Sequence, residues 1–111
     1  MTVQAGGDRL LPAQNRSTRL RELGADLHAV WSGEPRDAGL WMTRPSILRR
    51  VAAEAALRID AGVDRIVAFG PGARVLGAAV SLSTGLPYCA DEGGGVFGDH
   101  HPGEIIALVS V

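Results

Sequence analysis

The hydrophobic pattern along the chain changes period several times, and each change predicts an element. After a polar start containing Gly6-Gly7 and Pro12, Leu20 and Leu23 follow Ser17 and Thr18. That pattern predicts a short helix capped by a hydroxyl and stopped by Gly24. Leu27-His28-Ala29-Val30-Trp31 and Leu40-Trp41-Met42-Thr43 are two β-prone apolar runs. The turn-rich stretch from Ser32 to Gly39 separates them, so they read as an antiparallel hairpin. From Pro45, a residue suited to a first helical turn, Leu48, Val51, Ala52, Ala55 and Ile59 recur at helical spacing. Gly62 is the expected end of that helix.

Beyond Gly62 the runs become continuously apolar. Ile66-Val67-Ala68-Phe69 lacks polar alternation, as expected of a strand covered on both faces. A turn at Gly70-Pro71-Gly72-Ala73-Arg74 leads into a small-residue helix from Val75 to Ser83, closed by Gly85. Leu86–Ala90 reads as a second strand, with Pro87 tolerated at its start. Asp91–His100 is a glycine-rich loop, and Pro102-Gly103 suits a type II turn before a third strand, Ile105–Val109. Strand, helix and strand in so short a span imply a right-handed crossover. The predicted class is α/β: a short parallel sheet flanked by helices, with an N-terminal antiparallel hairpin. Residues 1–16 are expected to form a flexible arm and residues 17–111 an incomplete domain.

Composition narrows the functions open to such a domain. The 111 residues carry 11 basic and 12 acidic side chains, a near-neutral balance with no footprint for nucleic acid or an anionic membrane. All 11 cations are arginine. The absence of lysine excludes a Schiff base and a P-loop lysine. The single cysteine, Cys89, excludes an internal disulfide and a multi-cysteine zinc site. No run is long enough to cross a bilayer, and Met1–Asp8 lacks the pattern of a secretory signal. The expected location is the cytoplasm.

Chemistry, where present, belongs beyond the carboxyl ends of the strands. There Pro71, Gly72, Ala73 and Arg74 join a strand to a helix N-terminus, whose free N–H groups and dipole favour an anion. Gly72 permits close backbone approach, and the planar fork of Arg74 suits a phosphate. The same residues also fit a plain strand-to-helix turn with a solvated arginine. Asp99-His100-His101 lacks metal-ligand spacing and reads as a solvated turn. Cys89 and His28 read as packing residues, and Trp31 and Trp41 as covers for one side of the core.

The order of these stretches resembles the type I phosphoribosyltransferase family, most closely the N-terminal part of the orotate phosphoribosyltransferases. Four stretches carry the resemblance: the hairpin with Ser32-Gly33 and Trp41; Pro45–Ala52; Val63–Ala78; and Gly85–Tyr88 with Pro102-Gly103-Glu104 and the last strand. The resemblance implies transfer of phosphoribosyl from phosphoribosyl pyrophosphate (PRPP) to a nucleobase, with magnesium assisting. It implies a pyrophosphate loop at Pro71, Gly72, Ala73 and Arg74. It also implies what is missing. The family's acidic pair corresponds to Ser110 and Val111, and the threonine-rich phosphate loop has no counterpart before the last residue. Where orotate enzymes carry Arg-Lys, this chain has Ala90, Asp91 and Glu92, and the mobile catalytic lysine is absent. The expectation is a truncated protein, inactive alone, with no catalytic residue and no metal ligand of its own. The alternative is a non-catalytic phosphate- or nucleotide-binding module, or an interaction module. An edge strand at Ile105–Val109 favours self-association.

Overall fold

Four strands in the order β3-β2-β1-β4 form the sheet. The computed structural model describes residues 12–111, with side chains from residue 15 onward. β1 (Arg65–Phe69) lies at the centre, parallel to β2 (Tyr88–Asp91) on one side and to β4 (Ile106–Ser110) on the other. The two-residue β3 (Val96–Phe97) turns back antiparallel on β2. The class is α/β as expected, but the sheet is mixed. The extra strand comes from the glycine-rich loop, where Val96-Phe97 is the one β-prone pair.

The predicted hairpin does not form. Helix α1 runs from Pro12 to Val30, passes through Gly24 and takes in most of the first predicted strand. A glycine inside a helix costs only about 1 kcal/mol. Leu23, Leu27 and Val30 repeat at helical spacing across it, and Leu23 is buried in the core with the other two packed beside it. The apolar stripe outweighs the glycine. The second predicted strand is also helical: a 3-10 turn at Pro35–Asp37 leads into the short helix α2 (Gly39–Met42). Trp41 and Met42 face the core from it. Of the predicted N-terminal arm, residues 12–16 belong to α1, while residues 1–11 lie outside the described residues.

Helix α3 (Pro45–Ala56) starts at the expected proline but ends six residues before Gly62. Its last turn tightens through bonds from the Arg58 and Ile59 N–H groups to the carbonyls of Ala55 and Ala56. Helix α4 (Ala73–Thr84) is longer than predicted by two residues at the front and one at the back, and Gly85 closes it in the left-handed conformation. It packs on β1 and β2, and α3 packs on α4. The strand register places Ile66, Ala68, Tyr88, Ala90, Ala107 and Val109 on this helical side. There Ile66, Val80, Leu76, Trp41 and Ile47 form the main core.

The other sheet face carries no helix among the described residues. Val67, Phe69, Cys89, Ile106 and Leu108 lie on it. Cys89 is buried beneath the loop at Gly98, whereas Phe69, Ile106 and Leu108 are 44%, 47% and 67% exposed. The last strand is an edge, as the sequence reading expected.

The amino ends of β1 and β4 are clipped together. The Asp64 N–H donates to the Ile105 carbonyl at 2.7 Å, and the Ile105 N–H donates to Asp64 Oδ2 at 2.8 Å. Beside them the Arg65 guanidinium meets Glu104 Oε1 at 2.8 Å, both side chains largely removed from solvent. The hydrogen bond from Arg65 holds the Glu104 carboxyl below the usual carboxylate range, helped by the His101 N–H and opposed by desolvation. A depressed carboxyl stabilises the fold above the unfolded-state value, and that contribution is lost as pH falls through the folded value. Glu104→Gln is therefore expected to flatten the acid limb of the stability profile. Urea titrations near pH 7 and at about pH 3.5 will show a smaller loss for the variant than for wild type. Equal losses would show that the pair adds no acid-sensitive stability.

Candidate functional site

The carboxyl ends of the three parallel strands meet in one row, with Phe69 registered against Asp91 on one side and Ser110 on the other. The turn that carries Pro71, Gly72, Ala73 and Arg74 rises directly from this row. Gly70 adopts φ +89° and donates its N–H to the Asp91 carbonyl at 3.0 Å, tying the turn to β2. The Ala73 N–H returns to the Gly70 carbonyl at 3.1 Å. The four predicted residues thus stand together at the start of α4, where anion-binding turns of open sheets occur.

The room at Gly72 belongs to a side chain of this chain. Gly72 has φ +72°, and a Cβ there would lie 2.4 Å from Met42 Sδ. The glycine admits the end of the Met42 side chain from α2, a packing role beside the close ligand approach expected at this residue. Glycine at this position needs no ligand to explain it.

An anion does sit at the helix start, and it is Glu92. Its Oε2 accepts the Arg74 backbone N–H at 2.8 Å, while Gly72 offers no side-chain cap of its own. A carboxylate at a helix N-terminus is stabilised by the free N–H and by the dipole. Glu92 reaches it because Asp91 Oδ1 accepts the Gly93 N–H at 2.7 Å and bends the chain at once after β2. The Arg74 guanidinium lies 4.6 Å from the centroid of Phe97 on β3, a cation–π contact, and Phe97 in turn packs against Tyr88. Arg74 is therefore a bridge between α4 and the β2–β3 ribbon. Its side chain is nonetheless exposed, as the plainer reading of a solvated arginine expects.

The donor set does not suit a magnesium ion held by the protein. Asp91 and Glu92 each have an oxygen engaged by a backbone N–H, and at the end of β4 Ser110 offers only a hydroxyl. His100 and His101 lie apart from this edge, on the rim of the groove over the open sheet face. Among the described residues no cluster of three or more histidine, cysteine or acidic side chains is arranged to hold a metal. Trp41 is buried in the core, with Trp31 packed at 6.0 Å between ring centroids. Cys89 is buried in the floor of the open face, and His28 is on α1.

Two contributors went unrecognised from the sequence. Glu92 enters the sequence reading only as a residue standing where the resemblance calls for Arg-Lys, although an acidic residue just before three glycines can fold back onto a nearby helix start. Phe97 was hidden in a loop assignment. Neither has a local motif, because each acts across the sheet edge.

Comparing two glycines separates backbone strain from packing. Gly72 and Gly85 share a left-handed φ, but only Gly72 faces Met42, since a Cβ at Gly85 meets nothing within 4 Å. Gly85→Ala is expected to cost about 1–2 kcal/mol and Gly72→Ala roughly 2–4 kcal/mol. Urea denaturation checks the order, and equal costs would mean that α2 yields freely at Met42. Comparisons of the chain with protein families, with curated proteins and with solved structures gave no match.

Proposed function

We propose that the chain is an orotate phosphoribosyltransferase-like unit that does not turn over alone, and that its retained activity is to bind a phosphate- or pyrophosphate-bearing small molecule at the Pro71–Arg74 turn. The observation that carries this reading is the Glu92 carboxylate held at 2.8 Å by the Arg74 N–H. The helix start attracts an anion strongly enough to recruit one from the chain itself. A phosphate presents more oxygens and more charge than a carboxylate, and it binds by displacing Glu92. The loop that would carry Glu92 away contains Gly93 and Gly95, both at positive φ. Magnesium in this reading travels with the phosphates of the ligand.

Transfer itself asks for more than binding. The leaving pyrophosphate needs cationic stabilisation, and the ribose hydroxyls need carboxylates to orient them. The chain has no lysine, and Ser110 and Val111 stand where the resemblance calls for acids. The near-neutral charge gives nucleic acid and anionic membranes no purchase. No helix among the described residues is long and apolar enough to cross a membrane. A second reading, an interaction module, is favoured by the apolar sheet face that carries no helix among the described residues.

Calorimetric titration with magnesium pyrophosphate tests the proposal. Wild type is expected to bind weakly, because Glu92 competes. Glu92→Gln, which can still accept the Arg74 N–H but lacks the charge, is expected to bind roughly tenfold more tightly. Arg74→Ala in that background is expected to lose the gain. An absence of binding at millimolar ligand in both wild type and Glu92→Gln would overturn the phosphate reading. Nucleotide formation from PRPP and orotate would overturn the claim that the chain is inactive alone.

A further inference from the structure

We propose that the cavity between α1 and α3 binds a free α-amino acid with an apolar side chain. The proposal is independent of the phosphate reading, because this cavity shares no residue with the Pro71–Arg74 turn. Arg19, Leu23 and Asp26 recur at helical spacing along α1, as Arg50 and Glu54 do along α3. Two ion pairs cross between the helices. Arg50 Nη2 meets Asp26 Oδ2 at 2.8 Å, and Arg19 Nε meets Glu54 Oε2 at 3.1 Å. A cavity of about 420 Å³ opens against them, bordered by Arg19, Arg50 and Glu54. That volume lies at the lower end of the range for small-molecule sites.

Glu54 is the residue that packing alone does not explain. It is buried on α3 together with Ile47, two helical turns earlier, and only 9% of it is exposed. An apolar side chain there would lengthen the core stripe, whereas an ion pair withdrawn from water adds little stability. Only one of its oxygens is matched. Oε2 accepts from Arg19, while Oε1 accepts no hydrogen bond from any described residue. Arg58 Nη1 stands 3.9 Å from Oε1, beyond hydrogen-bond reach, and is spent on the Glu54 carbonyl at 2.7 Å. The last torsion of a glutamate is soft, so a small turn about it brings Oε1 to a donor placed in the cavity.

The groups left unspent specify the head group of the ligand. Arg19 engages Glu54 through Nε alone, so its terminal amino groups keep donors that suit a carboxylate. Arg50 is already committed to Asp26 and to the Ser46 carbonyl and hydroxyl. Glu22 borders the cavity, is exposed, and makes no ion pair among the described residues. With Glu54 it offers acceptors to an ammonium group, which has three donors to place. Two arginines and two glutamates line the cavity, so its charge is balanced. A carboxylate and an ammonium carried on one carbon match that balance. A simple amine would leave Arg19 without a counterpart, and a simple acid would leave the glutamates without one.

The rest of the lining selects the side chain. Leu23, Ala53 and Leu57 are its remaining members, and all three are apolar. Leu57, at the end of α3, is 65% exposed, and a ligand side chain laid on it removes apolar surface from water. Ala53 brings a single methyl group to the lining, where a longer side chain would fill the space. A nucleotide or a sugar phosphate, with its surplus of negative charge, would meet Glu22 and Glu54 without compensation. A branched aliphatic amino acid satisfies the charges, the walls and the volume together.

Titration of the full chain with L-leucine, followed by NMR of the backbone amides, tests the proposal. Saturating shifts are expected at Leu23, Ala53 and Leu57, with the amides of Pro71–Arg74 neighbours Gly72 and Arg74 unmoved. N-acetyl-L-leucine, which lacks the ammonium, and 3-methylbutylamine, which lacks the carboxylate, are each expected to bind about tenfold more weakly or worse. Glu54→Gln is expected to weaken L-leucine by about tenfold. Because that change also alters the pair with Arg19 and so the seating of α1, Glu22→Gln at an exposed position provides a second variant. It is expected to weaken L-leucine severalfold while leaving the urea midpoint of the free protein unchanged. No saturating shift at millimolar L-leucine, equal affinity for the three compounds, or an affinity unchanged in both glutamate variants would each overturn the proposal.

Discussion

The close seating of helix α4 on the sheet is the contact from which the rest of the architecture follows. A Cβ at Gly77 would lie 2.6 Å from Tyr88 Cδ2 and 3.1 Å from Ala68 Cβ, so the helix approaches β1 and β2 only because that residue lacks one. Seated there, α4 buries Leu76 and Val80 and offers its outer flank to α3, against which α1 and α2 then pack. It also fixes the height of its own N-terminus above the strand ends, where Glu92 reaches Arg74 and Met42 fills the space beside Gly72. Interiors are dense enough that one methyl group at Gly77 would be felt at each of these places.

What the sequence disclosed, and what it hid, follows from how local each signal is. Ile66–Phe69, the helix after Gly72 and its stop at Gly85 were legible because apolar runs and left-handed glycines act within a few residues. The parallel core was legible for the same reason. The N-terminal region misled because Leu27–Trp31 and Leu40–Thr43 are short and rich in β-prone residues. Such runs are ambiguous until their long-range partners are known. Leu20, Leu23, Leu27 and Val30 do share helical spacing, and giving that stripe more weight than Gly24 would have recovered α1.

The candidate site was legible in place but not in state. Its position at the carboxyl end of β1 follows from topology, and Pro71, Gly72, Ala73 and Arg74 stand together there. Occupation of the helix start by Glu92, and the stacking of Arg74 on Phe97, depend on contacts between residues 18 and 23 positions apart. No spacing rule encodes them. Gly72 shows the same limit from another side: its positive φ was foreseeable, while its neighbour Met42 belongs to an element the sequence reading had assigned to a strand.

Asp91 joins the two surfaces that give this molecule its functional possibilities. Its carbonyl accepts the Gly70 N–H and so anchors the turn, and its Oδ1 accepts the Gly93 N–H and so aims Glu92 at α4. The same residue borders the groove over the open face. The bend that delivers Glu92 is therefore held by a side chain that also borders the open face. One carboxylate thus borders the open face and shapes the approach to the helix start, even though the two lie on different sides of the sheet edge.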